Sequence, residues 1–174
     1  KTTNSVLVKS YGGQRTSPHA VWFMRQAGRS LPEYLKIREG IAMLDSCLNP
    51  ELAAEITLQP VRRHSVDAGI FFSDIVVPLK LAGVGVDIVP GVGPVMENPV
   101  RTAADLARLQ RLAPEQLEPI KKAVQIAVAE LNETPLIGFG GAPFTLASYL
   151  IEGGPSKNLL ACRQLMATNP ELWD

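Results

Sequence analysis

Arg25 and Arg29 stand four residues apart in Trp22-Phe23-Met24-Arg25-Gln26-Ala27-Gly28-Arg29, directly after a short apolar run. Arginine is always charged, so two brought close together call for an anion between them. The planar guanidinium fork matches carboxylate geometry, which makes this stretch a candidate pocket for a ligand bearing carboxylates. Helical spacing would place both arginines on one face, while Gly28 suits a loop or a helix mouth equally well. The plainer alternative is a pair of structural salt bridges, for instance to Glu33 or Asp74.

Asp74 is the second pointed residue. It follows Ile70-Phe71-Phe72-Ser73 and precedes Ile75-Val76-Val77-Pro78. A carboxylate in such apolar company is costly unless paired or hydrogen-bonded. It either caps a turn or pairs with Arg25 or Arg29, or it presents an anion to N–H donors and to positive charge developing on a substrate. Tyr149 lies beyond a third apolar segment; a core or interfacial tyrosine with its hydroxyl on a nearby group is an equal alternative. Gly138-Phe139-Gly140-Gly141 has neither the ending of a phosphate loop nor dinucleotide-binding spacing. It reads as a tight turn that lets backbone approach a ligand closely. His19 and His64 have no partner at metal-ligand spacing, and Arg62-Arg63-His64 reads as a solvated helix face. No zinc, nucleophile-elbow or redox-cysteine signature is present.

Seventeen basic residues balance seventeen acidic ones among 174. That neutrality gives no support to bulk attraction for nucleic acid or an anionic membrane. An apolar fraction of 46% suits one domain with its own core. The longest apolar runs are interrupted by Pro, Gly, Asp or Lys, so no transmembrane span is expected. The N-terminal residues lack a signal peptide's apolar core. Cys47 and Cys162 have no metal spacing and read as buried thiols, which points to a reducing compartment, most simply the cytoplasm. Asn169-Pro170-Glu171-Leu172 reads as a cap and the opening of a helix two residues before the chain stops, so a continuation is expected.

These residues must be positioned by alternating strands and helices. Residues 1–19 are expected to be a flexible segment with a turn at Tyr11-Gly12-Gly13-Gln14. Ala20 to Met24 reads as a short buried strand, followed by helices from Leu31 toward Arg38 and over Ile41 to Cys47. Asn49-Pro50-Glu51 opens a helix that Pro60 could kink and that is expected to end near Gly69 as a left-handed cap. Gly69 to Phe72 is an apolar strand of the kind covered on both faces. Val77 to Pro99 reads as excursions with short extended pieces, and Thr102-Ala103-Ala104-Asp105 as a capping box opening a helix to about Leu109. Glu115 to Leu131 is the clearest helix, with Leu117, Ile120, Val124, Ala127, Val128 and Leu131 on its apolar side. Leu136 to Phe139 is a strand, Pro143 opens a helix through Leu150, and Lys157 to Met166 forms another. Strands alternating with covering helices imply a parallel sheet, either closed as a barrel or open and doubly wound. The three segments of chemical interest follow strands, and in parallel architectures those strand ends share the ligand side.

The assembled residues closely resemble the uroporphyrinogen decarboxylase family. The likeness is carried by Ala20 to Arg29, Leu31-Pro32-Glu33-Tyr34, Phe72-Ser73-Asp74-Ile75, Gly141 to Leu146, Tyr149 and Glu152-Gly153-Gly154, in order from Ala20 to the last residue. Ser30 stands where many members carry an aromatic residue. The resemblance implies an α/β fold, a (β/α)8 TIM barrel of about twice this length. Residues 1–174 would be its N-terminal part, inactive alone, with a serine and a histidine contributed by the second half. It further implies a tetrapyrrole substrate, a homodimer when full length, and neither metal nor organic cofactor. On this basis Asp74 would face the macrocycle centre, and Arg25 and Arg29 would hold its carboxylates. Tyr149 would lie beside the reacting acetate, with Gln26, Ala27 and Gly28 completing the binding stretch. A corrinoid or thiol methyltransferase on the same barrel and a non-catalytic binding protein are the rival readings. The double-arginine motif argues against the first, and the intact Arg25, Arg29, Asp74 and Tyr149 against the second.

Overall fold

The computed structural model describes residues 2–26 and 31–174. In chain order its elements begin with α1 (Val6–Tyr11), α2 (Pro32–Arg38), α3 (Met43–Leu48), α4 (Pro50–His64) and β1 (Gly69–Ile70). They continue with α5 (Val77–Leu81), β2 (Val86–Val89), β3 (Gly93–Met96), α6 (Ala103–Leu106), α7 (Glu118–Leu131) and β4 (Leu136–Ile137). The last three are α8 (Pro143–Glu152), α9 (Leu160–Thr168) and α10 (Pro170–Trp173). The chain divides into two compact units, one of residues 1–73 and 118–139, the other of residues 74–117 and 140–174. No helix among the described residues is long and apolar enough to cross a membrane.

The first unit is organised by α4, which packs against α7. Asn49 caps α4 by accepting the Leu52 amide at 3.0 Å, with Pro50 in the first turn where a missing N–H costs nothing. Ala53, Ala54 and Ile56 are fully buried on α4, and Ala123 and Ala127 on α7. The small side chains of Ala53, Ala54, Ala123 and Ala127 let the two helices approach closely. This rotates the buried face of α7 from the one its larger residues suggested: Val128 and Leu117 are exposed, and Pro114–Leu117 forms a separate 3₁₀ turn. The helix runs through Pro60 and ends on Ser65, whose φ of 51° takes the left-handed role expected of Gly69. Gly69 instead opens β1, where a Cβ would stand 3.0 Å from Leu131 Cδ1. Its requirement is space, not a turn.

β1 and β4 pair in parallel, Gly69 opposite Leu136 and Ile70 opposite Ile137. This is the strand–helix–strand relation that alternation implied. The segment 20–24 is no strand among the described residues, and Val21, Phe23 and Met24 are exposed. Its apolar pattern suggested a ladder, but only one backbone bond forms, from the Asp67 N–H to the Val21 carbonyl at 2.8 Å. The Val21 N–H goes to the Asp67 carboxylate at 2.7 Å, so no second rung exists. Residues 6–11, expected to lack regular structure, form α1, capped by Ser5 and anchored by the buried Leu7.

In the second unit, the glycine-rich stretch after Asp74 holds the short helix α5 and an antiparallel hairpin of β2 and β3, with Val86 opposite Met96. The expected capping box at Thr102 and Asp105 is present and opens α6. α8 packs on β3 and on α9. α9 starts at Leu160, three residues later than its composition suggested, because Ser156 folds back onto the Leu159 amide at 3.1 Å. Asn169 caps α10 as expected, accepting the Leu172 amide at 3.3 Å.

Candidate active site

Asp74 is set by its own turn. Upstream, the Phe71 N–H donates to the Ile137 carbonyl at 2.9 Å, and the Phe72 N–H donates to the buried Thr57 hydroxyl at 2.9 Å. Thr57 in turn donates to the Ala53 carbonyl of its own helix at 2.7 Å. The half-buried Asp74 accepts the Val76 N–H on Oδ1 at 3.0 Å, and its carbonyl accepts the Val77 N–H at 3.1 Å. The turn-closing use foreseen for this carboxylate is therefore real. No cation among the described residues meets Asp74, and Oδ2 carries no hydrogen bond to any of them; Arg29, one of the two partners weighed for it, lies outside those residues.

The segment ahead of α8 lies against the Asp74 turn. A Cβ on Gly141 would fall 2.6 Å from Leu146 Cδ2 and 3.3 Å from Ile75 Cβ. No φ in 138–141 is positive, so Gly141 is needed for close approach and not for a left-handed bend. Pro143 starts α8, as its composition indicated. Ala147, Leu150 and Ile151 of α8 line an apolar cavity of about 110 Å³ closed by Val100, Leu172 and Trp173, with Tyr149 outside its lining. The half-buried Tyr149 has no side-chain hydrogen bond to a described residue. Asp74 and Tyr149 thus belong to one unit, with their segments in contact through Ile75 and Gly141.

Arg25 belongs to the other unit. It is exposed and makes no ion pair or hydrogen bond to a described residue. Glu33, a possible structural partner for it, binds Arg63 at 3.1 Å instead. Gln26, placed in the binding stretch by resemblance, is buried and uses both ends of its amide on backbone. Its Oε1 accepts the Phe23 N–H and its Nε2 donates to the Ala68 carbonyl, each at 2.9 Å. It braces the loop that presents Arg25. Ala27, Gly28 and Arg29 lie outside the described residues. The Arg62-Arg63-His64 group is exposed and salt-bridged to Glu55, Glu130 and Glu33, the solvated face its sequence implied.

Glu152 enters the sequence reading only as part of the resembling stretch Glu152-Gly153-Gly154, and its chemistry is more specific. Its carboxylate accepts the Cys162 N–H at 3.0 Å. That bond, with others from Ser156 and the Ala161 amide, holds its pKa below the ordinary glutamate range. Burial, with Glu152 beside it, pushes the Cys162 thiol up to about 11. A glutamate ten residues ahead of the amide it caps has no local spacing signature. No group of three or more His, Cys, Asp or Glu that could hold a metal ion occurs among the described residues.

The family model of uroporphyrinogen decarboxylase (URO-D) matches residues 2–174. A protein of Arthrobacter sp. (strain FB24) named uroporphyrinogen decarboxylase is 67% identical over 174 residues, 100% of this chain and 50% of its own length. One of Streptomyces avermitilis with the same name is 68% identical over 157 residues, 90% of this chain and 44% of its own. The chain therefore spans about half the length of the curated relatives it matches. Among solved structures, a methyltransferase from Methanosarcina mazei shares the fold at a TM-score of 0.66 and 16% identity, over 98% of this chain and 50% of that one. Because the family match runs over residues 2–174 and a relative bearing the family's name is 67% identical over the whole chain, the chain belongs to the uroporphyrinogen decarboxylase family.

Proposed function

We propose that this chain forms the N-terminal portion of a single (β/α)8 barrel which, complete, removes carbon dioxide in turn from the four acetate side chains of uroporphyrinogen III to give coproporphyrinogen III. Each step converts a ring-bound CH2–COO⁻ and one proton into CH3 and CO2. Protonation of the pyrrole makes the ring accept the electron pair of the breaking C–C bond. A second proton then reaches the methylene carbon as the ring loses the first. No external electron sink is required by this balance.

Asp74 has the chemistry for the centre of that reaction. A fixed anion accepts pyrrole N–H bonds and stabilises the cationic ring, and such preorganised charge is the largest single term in many active sites. Arg25 and Arg29 hold acetate and propionate carboxylates, and Tyr149 orients the reacting acetate. Proton delivery by an arginine is the weakest of these roles, because its pKa is far too high for a classical acid. The full-length protein is further proposed to be a cytoplasmic homodimer that takes a small-molecule tetrapyrrole and neither nucleic acid nor membrane, and that needs no metal or organic cofactor.

The observation that carries the proposal is the 67% identity, over the whole chain, to a relative bearing the decarboxylase name. The half-buried Asp74 carboxylate, with one oxygen held by the Val76 N–H in the turn that follows β1, supports it chemically. The test is anaerobic incubation of full-length protein with uroporphyrinogen III. Accumulation of coproporphyrinogen III is expected; recovery of unchanged substrate would refute the assignment.

A further inference from the structure

The last turn of α8 is held from two sides. From one side, residues 96–101 donate to successive carbonyls. The Val100 N–H meets the Leu150 carbonyl at 2.8 Å, Arg101 Nε meets Ile151 at 3.2 Å, Arg101 Nη2 meets Glu152 at 3.5 Å, and the Met96 N–H meets Gly153 at 2.9 Å. These are the groups a helix C-terminus otherwise leaves without partners. From the other side, the Glu152 carboxylate takes the Cys162 amide in the first turn of α9. It thereby supplies the cap that Leu159, lacking a side-chain acceptor, cannot provide. Gly153 allows both attachments. Its φ is +85°, and a Cβ there would stand 2.8 Å from Pro99 Cγ.

Tyr149 lies on this clamped turn, its own carbonyl accepting the Gly153 N–H at 2.9 Å. Its phenol has no hydrogen bond to a described residue. The backbone from which the ring projects is held by these contacts at the helix end. We propose that Glu152 and Arg101 are positioning residues for Tyr149, holding the end of α8 so that the phenol meets the reacting carboxylate. This rests on the reading of the full-length protein as a decarboxylase with Tyr149 beside the substrate. A misplacement of about 1 Å in a reacting group can cost as much as 100-fold in rate, so a clamp remote from the chemistry is visible in kcat.

The test is a pair of double-mutant cycles in the full-length protein, combining Glu152→Met and Arg101→Met each with Tyr149→Phe. Coproporphyrinogen formation and thermal unfolding are followed in every variant. Either positioning substitution alone is expected to lower kcat on the order of tenfold with KM little changed. In the Tyr149→Phe background it is expected to lower kcat less than about twofold, because coupled residues do not act additively. Arg101 is exposed, so its variant reports on the clamp even where Glu152→Met lowers the yield of folded protein. Equal losses in both backgrounds, or losses accounted for by the unfolded fraction alone, would overturn the positioning role while leaving Tyr149 catalytic. An inactive full-length protein, or full activity in Tyr149→Phe, would overturn the site assignment and this inference together.

Discussion

The Asp74 carboxylate accepts the Val76 amide at 3.0 Å on Oδ1, while its other oxygen meets no hydrogen-bond donor among the described residues. The two oxygens thus differ: one closes the turn that leads into α5, and the other is the one assigned to the substrate in the proposed function. This division separates fold from charge. An asparagine at position 74 keeps an oxygen for Val76 and removes the anion, whereas an alanine removes both.

Arg25→Ala and Arg29→Ala in the full-length protein should weaken binding and slow the reaction together. A hydrogen bond to a charged group contributes about 1.5–3 kcal/mol, so kcat/KM for uroporphyrinogen III should fall roughly 10- to 100-fold for either variant. Steady-state kinetics check this, and constants within twofold of the parent would remove the arginines from the site.

Thr57→Val preserves shape but deprives the buried Phe72 N–H of its acceptor. Leaving such a donor without a partner costs about 1–3 kcal/mol. Urea unfolding of the full-length protein should show a lower midpoint with an unchanged slope. An unchanged midpoint would mean that this bond does not hold the strand end that precedes Asp74.

Much of this arrangement was legible in the sequence. Asn49-Pro50, Thr102 with Asp105 and Asn169-Pro170 each place a helix start through a local side-chain cap, Pro143 places one through its fixed φ in the first turn, and each start is present. The parallel pairing of β1 and β4 followed from the alternation of strands with helices. Features decided by distant partners were not legible. Residues 20–24 fail to form a strand because the Asp67 side chain takes the amide a second rung would need. The left-handed cap of α4 falls on Ser65 because Gly69 is required where Leu131 leaves no room. At the site, Asp74 stood out by chemical contrast with its neighbours. Gln26 as a brace and Glu152 as the cap of α9 depend on backbone groups 42 and 10 positions away, which no local pattern announces.

Cys162 should be an inert thiol in the native protein. Burial raises its pKa to about 11, so at pH 8 it remains protonated and should resist iodoacetamide until the protein unfolds. Because the folded pKa lies above the ordinary 9.0, the associated stability is fully present below about pH 9 and is lost as pH rises toward 11. Mass spectrometry of alkylated native and unfolded protein checks the first point. Rapid labelling of native Cys162 at pH 8 would contradict it. A Cys162→Ala variant whose stability falls as steeply as the parent's between pH 9 and 11 would contradict the second.

The central claim is that the Asp74 anion stabilises the cationic ring formed during decarboxylation. Its most direct test is single-turnover decarboxylation of uroporphyrinogen III by full-length Asp74→Asn, alongside circular dichroism and thermal unfolding. The variant is expected to fold and melt like the parent while losing on the order of 100- to 1,000-fold or more in rate, the scale of removing one preorganised electrostatic group. A correctly folded Asp74→Asn protein that decarboxylates within a few fold of the parent rate would contradict the claim.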